Sequence, residues 1–252
     1  MKTMNKKRVI TYLIITFAIT YTFWWGLALL TNLNIINSSQ GIFTLIHAIG
    51  GFGPTIAAIL VLPKKSPKSV LKFVFSCKKT SFWYLLLFCA IQALIIGFSS
   101  METNPALPWY VTPVVMLSAT IIGGGNEEIG WRGIMQPELE KKFPFPIATL
   151  MTGCVWMAWH IPLWFVVGTT QQNINFGLYC IYGLILSFWL ATIYKKTNSV
   201  FFCSIFHGFA NLLISFFVIK INWILVVGLI FALAFSIWFY YKKTADEKEV
   251  KE

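Results

Sequence analysis

The sequence predicts an all-α, polytopic membrane protein, and composition and hydropathy pattern are the observations that predict it. Of its 252 residues, 57% are hydrophobic and only 12% are charged, whereas soluble domains are usually about 45–50% apolar and about 25% charged. This composition excludes a soluble enzyme, a disordered chain and a small disulfide-stapled domain. The net charge of +11 is divided among short clusters between long apolar runs, so we expect no nucleic-acid partner.

About eight apolar runs are long enough, or nearly so, to cross about 30 Å of hydrocarbon. They lie at about 9–30, 42–62, 82–98, 109–134, 145–168, 174–194, 199–219 and 222–241. The first run follows a basic cluster, but its length and the lack of an A-x-A site after it favour a retained helix over a cleaved signal peptide. Residues 1–252 are therefore predicted to form a single integral-membrane domain.

The basic residues predict the orientation of these helices, because Lys and Arg prefer the cytoplasmic side of a membrane. With eight spans and the N-terminus inside, 19 of the 20 basic residues fall on the cytoplasmic side, and only Lys220 falls outside. They lie in the N-terminal tail, the 63–81 loop, the 132–146 segment, the 195–198 turn and a charged tail at 242–252. We therefore expect both termini to be cytoplasmic.

Composition also suggests the compartment. The abundance of Lys, Ile and Asn is typical of an AT-rich bacterial genome, which favours the bacterial plasma membrane. The five cysteines form no C-x-x-C pair, so neither a disulfide framework nor a thiolate metal site is indicated.

Two acids and three histidines fall inside the predicted spans: Glu127, Glu128, His47, His160 and His207. An ionisable group within the hydrocarbon costs several kcal/mol and is a functional candidate by default. Whether these groups converge can be judged from their spacing along the helices.

The spans before and after the FPFP turn predict that Glu127 and His160 lie side by side. Glu127 precedes Pro144 by 17 residues and His160 follows it by 16, and equal distances from the turn of a helical hairpin give equal depths. His207 follows Asn198 by nine residues, which corresponds to about 13 Å of helix. We therefore expect all three groups at one depth near the cytoplasmic leaflet.

Spacing within each helix suggests different roles for these groups. Residues four apart share a helix face, so His207 and Asn211 point to the same place, and Glu128 and Arg132 are placed to form an orienting ion pair. Glu127 points about 100° away from Glu128. We therefore interpret Glu127 as the freer acid, suited to act as a general base.

A metal site is an alternative interpretation of the same residues. One carboxylate and two imidazoles suit zinc, and Glu127, His160 and His207 would be its ligands. No H-E-x-x-H motif is present, so no cofactor is firmly implied and zinc stays an option.

The remaining features have structural interpretations. We expect His47 to be packed or hydrogen-bonded to backbone, far from the depth of the other histidines. The GGFGP run that begins at Gly50 allows close packing or a kink. The tryptophans near the acids (Trp131, Trp156, Trp159 and Trp164) are interpreted as core or interface residues.

The polar motifs resemble those of a known family. EEIGWR (127–132) resembles an E-E-x-x-x-R motif, WMAWH (156–160) an F-x-x-x-H motif, and HGFAN (207–211) an H-x-x-x-N motif. In this order they resemble the CAAX protease and bacteriocin-processing family, also called Abi, of intramembrane proteases, which includes the Ras-converting type of CAAX endopeptidase. Trp156 stands where that family usually has Phe.

The resemblance implies an eight-helix intramembrane endopeptidase, of the glutamate or the metalloprotease type, that opens towards the cytoplasm. Glu127 with His160 would activate water, His207 and Asn211 would stabilise the oxyanion, and Glu128 and Arg132 would support the site. The expected partners are membrane lipid and a peptide or lipidated protein at the cytoplasmic leaflet, of the CAAX, pheromone or bacteriocin type.

Two alternatives remain from the sequence. A bacteriocin self-immunity protein that acts by binding is suggested by the same resemblance. A proton-coupled transporter is suggested by the intramembrane Glu and His residues, although no repeated half or paired broken helices are recognisable.

Overall fold

The computed structural model describes residues 3–77 and 81–242, and within these ranges the chain is predominantly helical. The only β pairing in the described ranges is an isolated antiparallel bridge between Thr103 and Phe217. The all-α prediction is therefore confirmed. The α-helices of the described ranges are α1 (Lys6–Asn32), α2 (Gly41–Gly51), α3 (Gly53–Val61), α4 (Pro67–Phe75), α5 (Ser81–Ser99), α6 (Thr112–Ile121), α7 (Glu128–Gly130), α8 (Gln136–Leu139), α9 (Phe145–Trp159), α10 (Phe176–Thr197), α11 (Val200–Phe216) and α12 (Trp223–Tyr241).

Parts of the predicted basic segments lie outside the described residues. They are Lys2, the pair Lys78 and Lys79 of the 63–81 loop, and residues 243–252 of the predicted tail. The cytoplasmic location of both termini and the description of 1–252 as one domain stay predictions.

Six of the eight predicted spans correspond to continuous or once-broken apolar helices. Five segments are long and apolar enough to cross a membrane: Lys6–Asn32, Gly41–Val61, Ser81–Ser99, Phe176–Thr197 and Trp223–Tyr241. A sixth, α11, is apolar but has only 17 residues. The chain is thus an integral membrane protein by the length and composition of its helices, while the count of eight spans stays a prediction.

The other two predicted spans are not continuous helices. The 109–134 span breaks after α6 at the glycine pair Gly123 and Gly124, and it resumes as a 3-10 turn (Gly125–Glu127), α7 and a π-helical turn (Trp131–Met135). The first arm of the helical hairpin used to compare the depths of Glu127 and His160 is therefore not one unbroken helix. The 145–168 span is α-helical only to Trp159 and continues as a 3-10 turn that contains Pro162, because proline cannot continue the α-helical hydrogen bonding.

Exposed aromatic side chains mark both ends of the long helices. Trp223 begins α12 and Trp238 lies in its last turn, and both are largely exposed. The ring of Tyr84 lies 5.8 Å from that of Phe239, so α5 runs antiparallel to α12 and its exposed Trp83 lies at the same end as Trp238. Tryptophan favours the two interfaces of a bilayer, and the 19 residues of α12 span about 28 Å.

The GGFGP run lets α2 and α3 lie against α1. A Cβ at Gly50 would collide with the indole of Trp24, and one at Gly53 would collide with the Thr20 hydroxyl. Instead Thr20 donates to the carbonyl of Gly50 at 2.7 Å. The run also separates the two helices at Phe52, so both predicted uses of these glycines, close packing and a kink, are present.

A carboxylate near the FPFP turn ties α1 to α8. Glu138 is buried and accepts hydrogen bonds from the backbone N–H of Asn5 at 3.0 Å and from Arg8 at 3.3 Å. The Lys141 ammonium lies 2.7 Å from the same carboxylate. Burial raises the pKa of Glu138, but the hydrogen bonds from Lys141 and Asn5 and the nearby charges outweigh it and hold the pKa below the ordinary value of 4.5.

Glu138→Gln is therefore expected to remove a pH-dependent stabilisation. A carboxylate with a lowered folded pKa contributes stability that is complete above the unfolded value and is lost as pH falls through the folded value. At pH 7 the variant should unfold about 1–3 kcal/mol more easily, and the difference from the parent should close below pH 4.5. Thermal unfolding of both proteins between pH 3 and 7 measures this. Glu102→Gln is the control, because its partner Lys220 is exposed and surface ion pairs contribute little. A stability difference between the parent and Glu138→Gln that grows as the pH falls would contradict the assignment.

Candidate active site

The helix is interrupted before the two acids, so Glu127 and Glu128 lie at the start of a new, short helical run. Gly124 has φ +128°, a conformation that favours glycine strongly over other residues. A Cβ at Gly125 would lie 2.6 Å from the Ser204 carbonyl oxygen of α11, so glycine also permits close approach there. The helical run continues into the π-helical turn Trp131–Met135, a feature that often occurs at functional sites.

Glu127 faces α9. Its Oε2 accepts a hydrogen bond from Trp156 Nε1 at 2.7 Å and lies 4.0 Å from His160 Nε2. The Nδ1 atom of His160 lies 2.8 Å from the Trp156 carbonyl oxygen, which fixes the imidazole plane. Both Glu127 and His160 are buried. The predicted neighbourhood of Glu127 and His160 is therefore present despite the broken helix.

Glu128 has different neighbours from Glu127, namely a buried cation and a histidine. Its carboxylate oxygens lie 3.1 and 3.2 Å from Arg132 Nη1, and neither side chain is exposed to solvent. Arg132 also donates to the Ser187 hydroxyl at 2.8 Å and lies over the ring of Trp156. His207 Nδ1 is 2.9 Å from Glu128 Oε1. The predicted ion pair of Glu128 and Arg132 is confirmed, and it extends to His207.

Asn211 and His207 converge on the glycine pair. Asn211 donates from Nδ2 to the carbonyl of Gly123 at 2.6 Å. A Cβ placed on Gly124 would lie 2.6 Å from Asn211 Nδ2 and 2.8 Å from His207 Nε2. Glycine at 124 therefore keeps the space in front of these two nitrogens clear.

The sequence-predicted site residues form two connected sets. Glu127 and His160 form the first, and Glu128, Arg132 and His207 form the second. Trp156 links them, because it donates to Glu127 while its ring contacts Arg132 and packs edge-on against His207 at 5.2 Å. Asn211 lies beside the second set at the glycine pair.

The geometry does not assemble the metal-ligand set considered above. Among the described residues, no three His, Cys, Asp or Glu side chains form a group that could hold a metal ion. His160 Nδ1 and His207 Nδ1 are engaged by the Trp156 carbonyl and by Glu128. Imidazoles that bind zinc through Nε2 make the same Nδ1 hydrogen bonds, so these bonds do not distinguish the two roles, and no step below is assigned to a metal.

His47 lies closer to the site than predicted. Its ring stacks on Trp24 with centroids 5.7 Å apart, and the Trp24 ring lies 6.3 Å from that of His160. The close packing of α2 on α1 at Gly50 brings it there. Its predicted packed role is nevertheless present, since the ring lies between those of Phe43 and Trp24.

Three contributors to the site were missed or misjudged in the sequence. Trp156 was interpreted as core or interface; it is buried, but it is also the hydrogen-bond donor to Glu127. Ser187 on α10 carries no signal that would have identified it as a partner of Arg132. Asn126 donates to the Gly51 carbonyl at 3.2 Å, and the Thr55 hydroxyl donates to the Asn126 carbonyl at 2.7 Å. These bonds clamp the residue before Glu127 to the GGFGP run, and the GGG sequence before the acids was the available hint of close packing there.

Fold and site together define a class: a helical integral membrane protein with a buried carboxylate–histidine pair beside an imidazole and an amide. Residues 108–213, which contain all three motifs, match the family model described as type II CAAX prenyl endopeptidase Rce1-like. A curated relative, CAAX prenyl protease 2 of Methanococcus maripaludis, is 27% identical over 263 residues that cover 94% of this chain and 95% of the relative. The chain is therefore similar to the Rce1-like CAAX prenyl endopeptidases, and the resemblance drawn from the motifs is confirmed.

Proposed function

We propose that this protein is an intramembrane endopeptidase that hydrolyses a peptide bond in a prenylated, CAAX-type peptide or protein tail. The observation that carries the proposal is the buried pair of Glu127 and His160, with nitrogens of His207 and Asn211 directed at one small space beside it. The relationship to CAAX prenyl endopeptidases supports the substrate class. The site would be reached from the cytoplasmic leaflet, as the distribution of basic residues favours.

The spacing of Glu127 and His160 suits activation of water. At 4.0 Å, Glu127 Oε2 and His160 Nε2 are too far apart for a direct hydrogen bond. One water oxygen can nevertheless lie about 2.8 Å from both atoms. Glu127 would accept the proton of this water as it attacks the peptide carbonyl, and the Trp156 N–H would hold the carboxylate in place.

His207 and Asn211 are suited to stabilise the negative charge that develops on the carbonyl oxygen. Preorganised donors in a water-poor site are effective because they need no reorganisation during the reaction. With Nδ1 donating to Glu128, His207 must carry both protons to donate from Nε2 as well. The buried Glu128 carboxylate is the counter-charge for that doubly protonated ring, and Arg132 holds Glu128. Glu128 and Arg132 are thus positioning residues in this proposal.

No specific observation favours the other candidate functions. Self-immunity by binding alone does not require a carboxylate–histidine pair at water-bridging distance. Proton-coupled transport is suggested by no feature other than the intramembrane Glu and His residues themselves. Whether the enzyme also uses a metal is decided separately by elemental analysis of the purified protein.

Cleavage of defined peptides by the purified protein in lipid nanodiscs tests the proposal. We expect a farnesylated CAAX peptide to be cut and the same peptide with a free Cys to be cut poorly, with products identified by mass spectrometry. His160→Gln should lower the rate at least about 100-fold, because general acid–base groups contribute about 10²–10⁴-fold. His47→Gln is the matched control, since the Trp24 ring separates His47 from His160. Its cleavage rate should stay within a few-fold of that of the parent. Lack of cleavage by the parent, or equal losses in both variants, would overturn the proposal.

A further inference from the structure

A basic groove lies between α4 and the junction of α10 and α11, apart from the candidate active site. It has a volume of about 680 Å³, and its lining includes Lys64, Lys68 and Lys72 together with polar groups of Ser69, Ser76 and Asn198. Among residues 3–77 and 81–242, no acidic side chain lines it. Three ammonium groups around one open space, with hydroxyl and amide groups beside them, match the chemistry of a phosphate-bearing ligand.

The three lysines carry uncompensated charge. Within residues 3–77 and 81–242, the ion pairs of surface cations join Arg8 and Lys141 to Glu138, and Lys220 to Glu102. None of the groove lysines has a carboxylate within ion-pair distance in these ranges. Lys68 and Lys72 are four residues apart on α4 and so lie on one face of that helix. An anion between them would relieve their mutual repulsion.

The rest of α4 indicates that the groove lies at the membrane surface. Val70, Phe73 and Val74 pack against the protein core. Leu71 and Phe75, also four residues apart, are both more than half exposed, at 57% and 55%. A short helix with one basic face and an exposed apolar face lies in the interfacial plane of a bilayer. An apolar exposed pair next to the lysines places the groove where lipid headgroups are, and not in bulk water.

We propose that this groove binds the phosphate of an anionic phospholipid headgroup. The lysines pair with the phosphate, Ser76 and Asn198 supply hydrogen-bonding groups, and Leu71 and Phe75 lie among the acyl chains. A basic cluster next to membrane helices is a recognised form of lipid binding. The inference is independent of the proposed peptidase activity, since none of the groove residues belongs to the Glu127 site.

Native mass spectrometry of the full chain, with phosphatidylglycerol titrated against phosphatidylcholine in detergent, tests this site. The variant K64Q/K68Q/K72Q is compared with K6Q/K7Q/K65Q, which removes the same charge from exposed lysines outside the groove lining. Each lysine near an anionic surface is worth about a fivefold gain in affinity. We therefore expect phosphatidylglycerol binding to weaken at least tenfold in the first variant, to stay parent-like in the second, and to be retained in K64R/K68R/K72R.

Two results would overturn the proposal. Equal weakening in both glutamine variants would mean that general surface charge, and not the groove, attracts the lipid. Displacement of phosphatidylglycerol by millimolar inorganic phosphate would mean that the groove takes a free phosphate instead of a lipid headgroup. All substituted lysines are exposed, and equal melting temperatures of the variants show that the comparison concerns folded protein.

Discussion

Glu127→Gln is expected to lower kcat for peptide cleavage by about 10²–10⁴-fold, the range of a general base, and to leave the melting temperature close to that of the parent. Glutamine has nearly the same shape as glutamate, and its carbonyl oxygen can still accept the hydrogen bond from Trp156 Nε1, which is 2.7 Å long in the parent. What it cannot do is accept the proton of the attacking water. The effect should therefore fall on kcat, with KM changed little, because a group that acts in the transition state contributes little to ground-state binding.

A second glutamate provides the control for this substitution. Glu140 accepts hydrogen bonds from Gln136 and from the Tyr240 hydroxyl, at 2.8 and 2.9 Å, and makes no contact with the candidate site. Glu140→Gln should keep parent-like cleavage. Initial rates with the farnesylated peptide, measured over a range of concentrations for the three proteins in nanodiscs, separate kcat from KM. If Glu127→Gln cleaves as fast as the parent, Glu127 is not the base and the assignment of the first set of residues fails.

The pairing of Glu127 with His160 followed from the sequence, whereas several partners of the other site residues did not. Glu127 and His160 were expected to be neighbours because they are equally distant from the FPFP turn, and they are neighbours at 4.0 Å. They are neighbours although the helix is broken, because the break lies before the acids and the run from Gly125 to Leu139 still rises steadily towards the turn. Distance along a hairpin depends on such rise and tolerates local changes in helix type.

Rotation about the helix axis is far more sensitive to those changes. The pairing of His207 with Glu128 at 2.9 Å depends on how α11 faces α7, and the spacing within a single helix contains no information on that. The hydrogen bond from Trp156 likewise depends on an indole nitrogen that reaches across from α9. These partners are set by tertiary packing, which periodicity does not encode.

The position of His47 also depends on tertiary packing that the sequence did not predict. Its position in the second span suggested a location remote from the site, yet the glycines at 50 and 53 let α2 and α3 approach α1 and bring its ring onto Trp24. The sequence marked these glycines as packing residues without indicating which helix they pack against. From a single sequence one can infer that a glycine permits two helices to approach closely. Which helix is the partner is known only from the folded structure.

Arg132→Gln is expected to destabilise the protein by about 3–5 kcal/mol, because it leaves the Glu128 carboxylate buried without its cation. Neither side chain of the pair is exposed. The same substitution removes the donor to the Ser187 hydroxyl and the cation over the Trp156 ring. Thermal or denaturant unfolding in detergent measures the loss, and Lys141→Gln is the control, since Lys141 is a partly exposed cation that should matter less.

The double variant Glu128→Gln/Arg132→Gln separates stability from positioning. It removes both buried charges, so unfolding resistance should recover relative to Arg132→Gln alone, since two neutral amides leave no uncompensated ion. Cleavage should not recover with it, because His207 loses the carboxylate that lies 2.9 Å from its Nδ1 and holds the imidazole in place. A stable double variant with parent-like kcat would show that Glu128 serves only the fold. A stable double variant with kcat still at least about tenfold low would mean that the buried ion pair exists to hold His207 towards the reacting carbonyl.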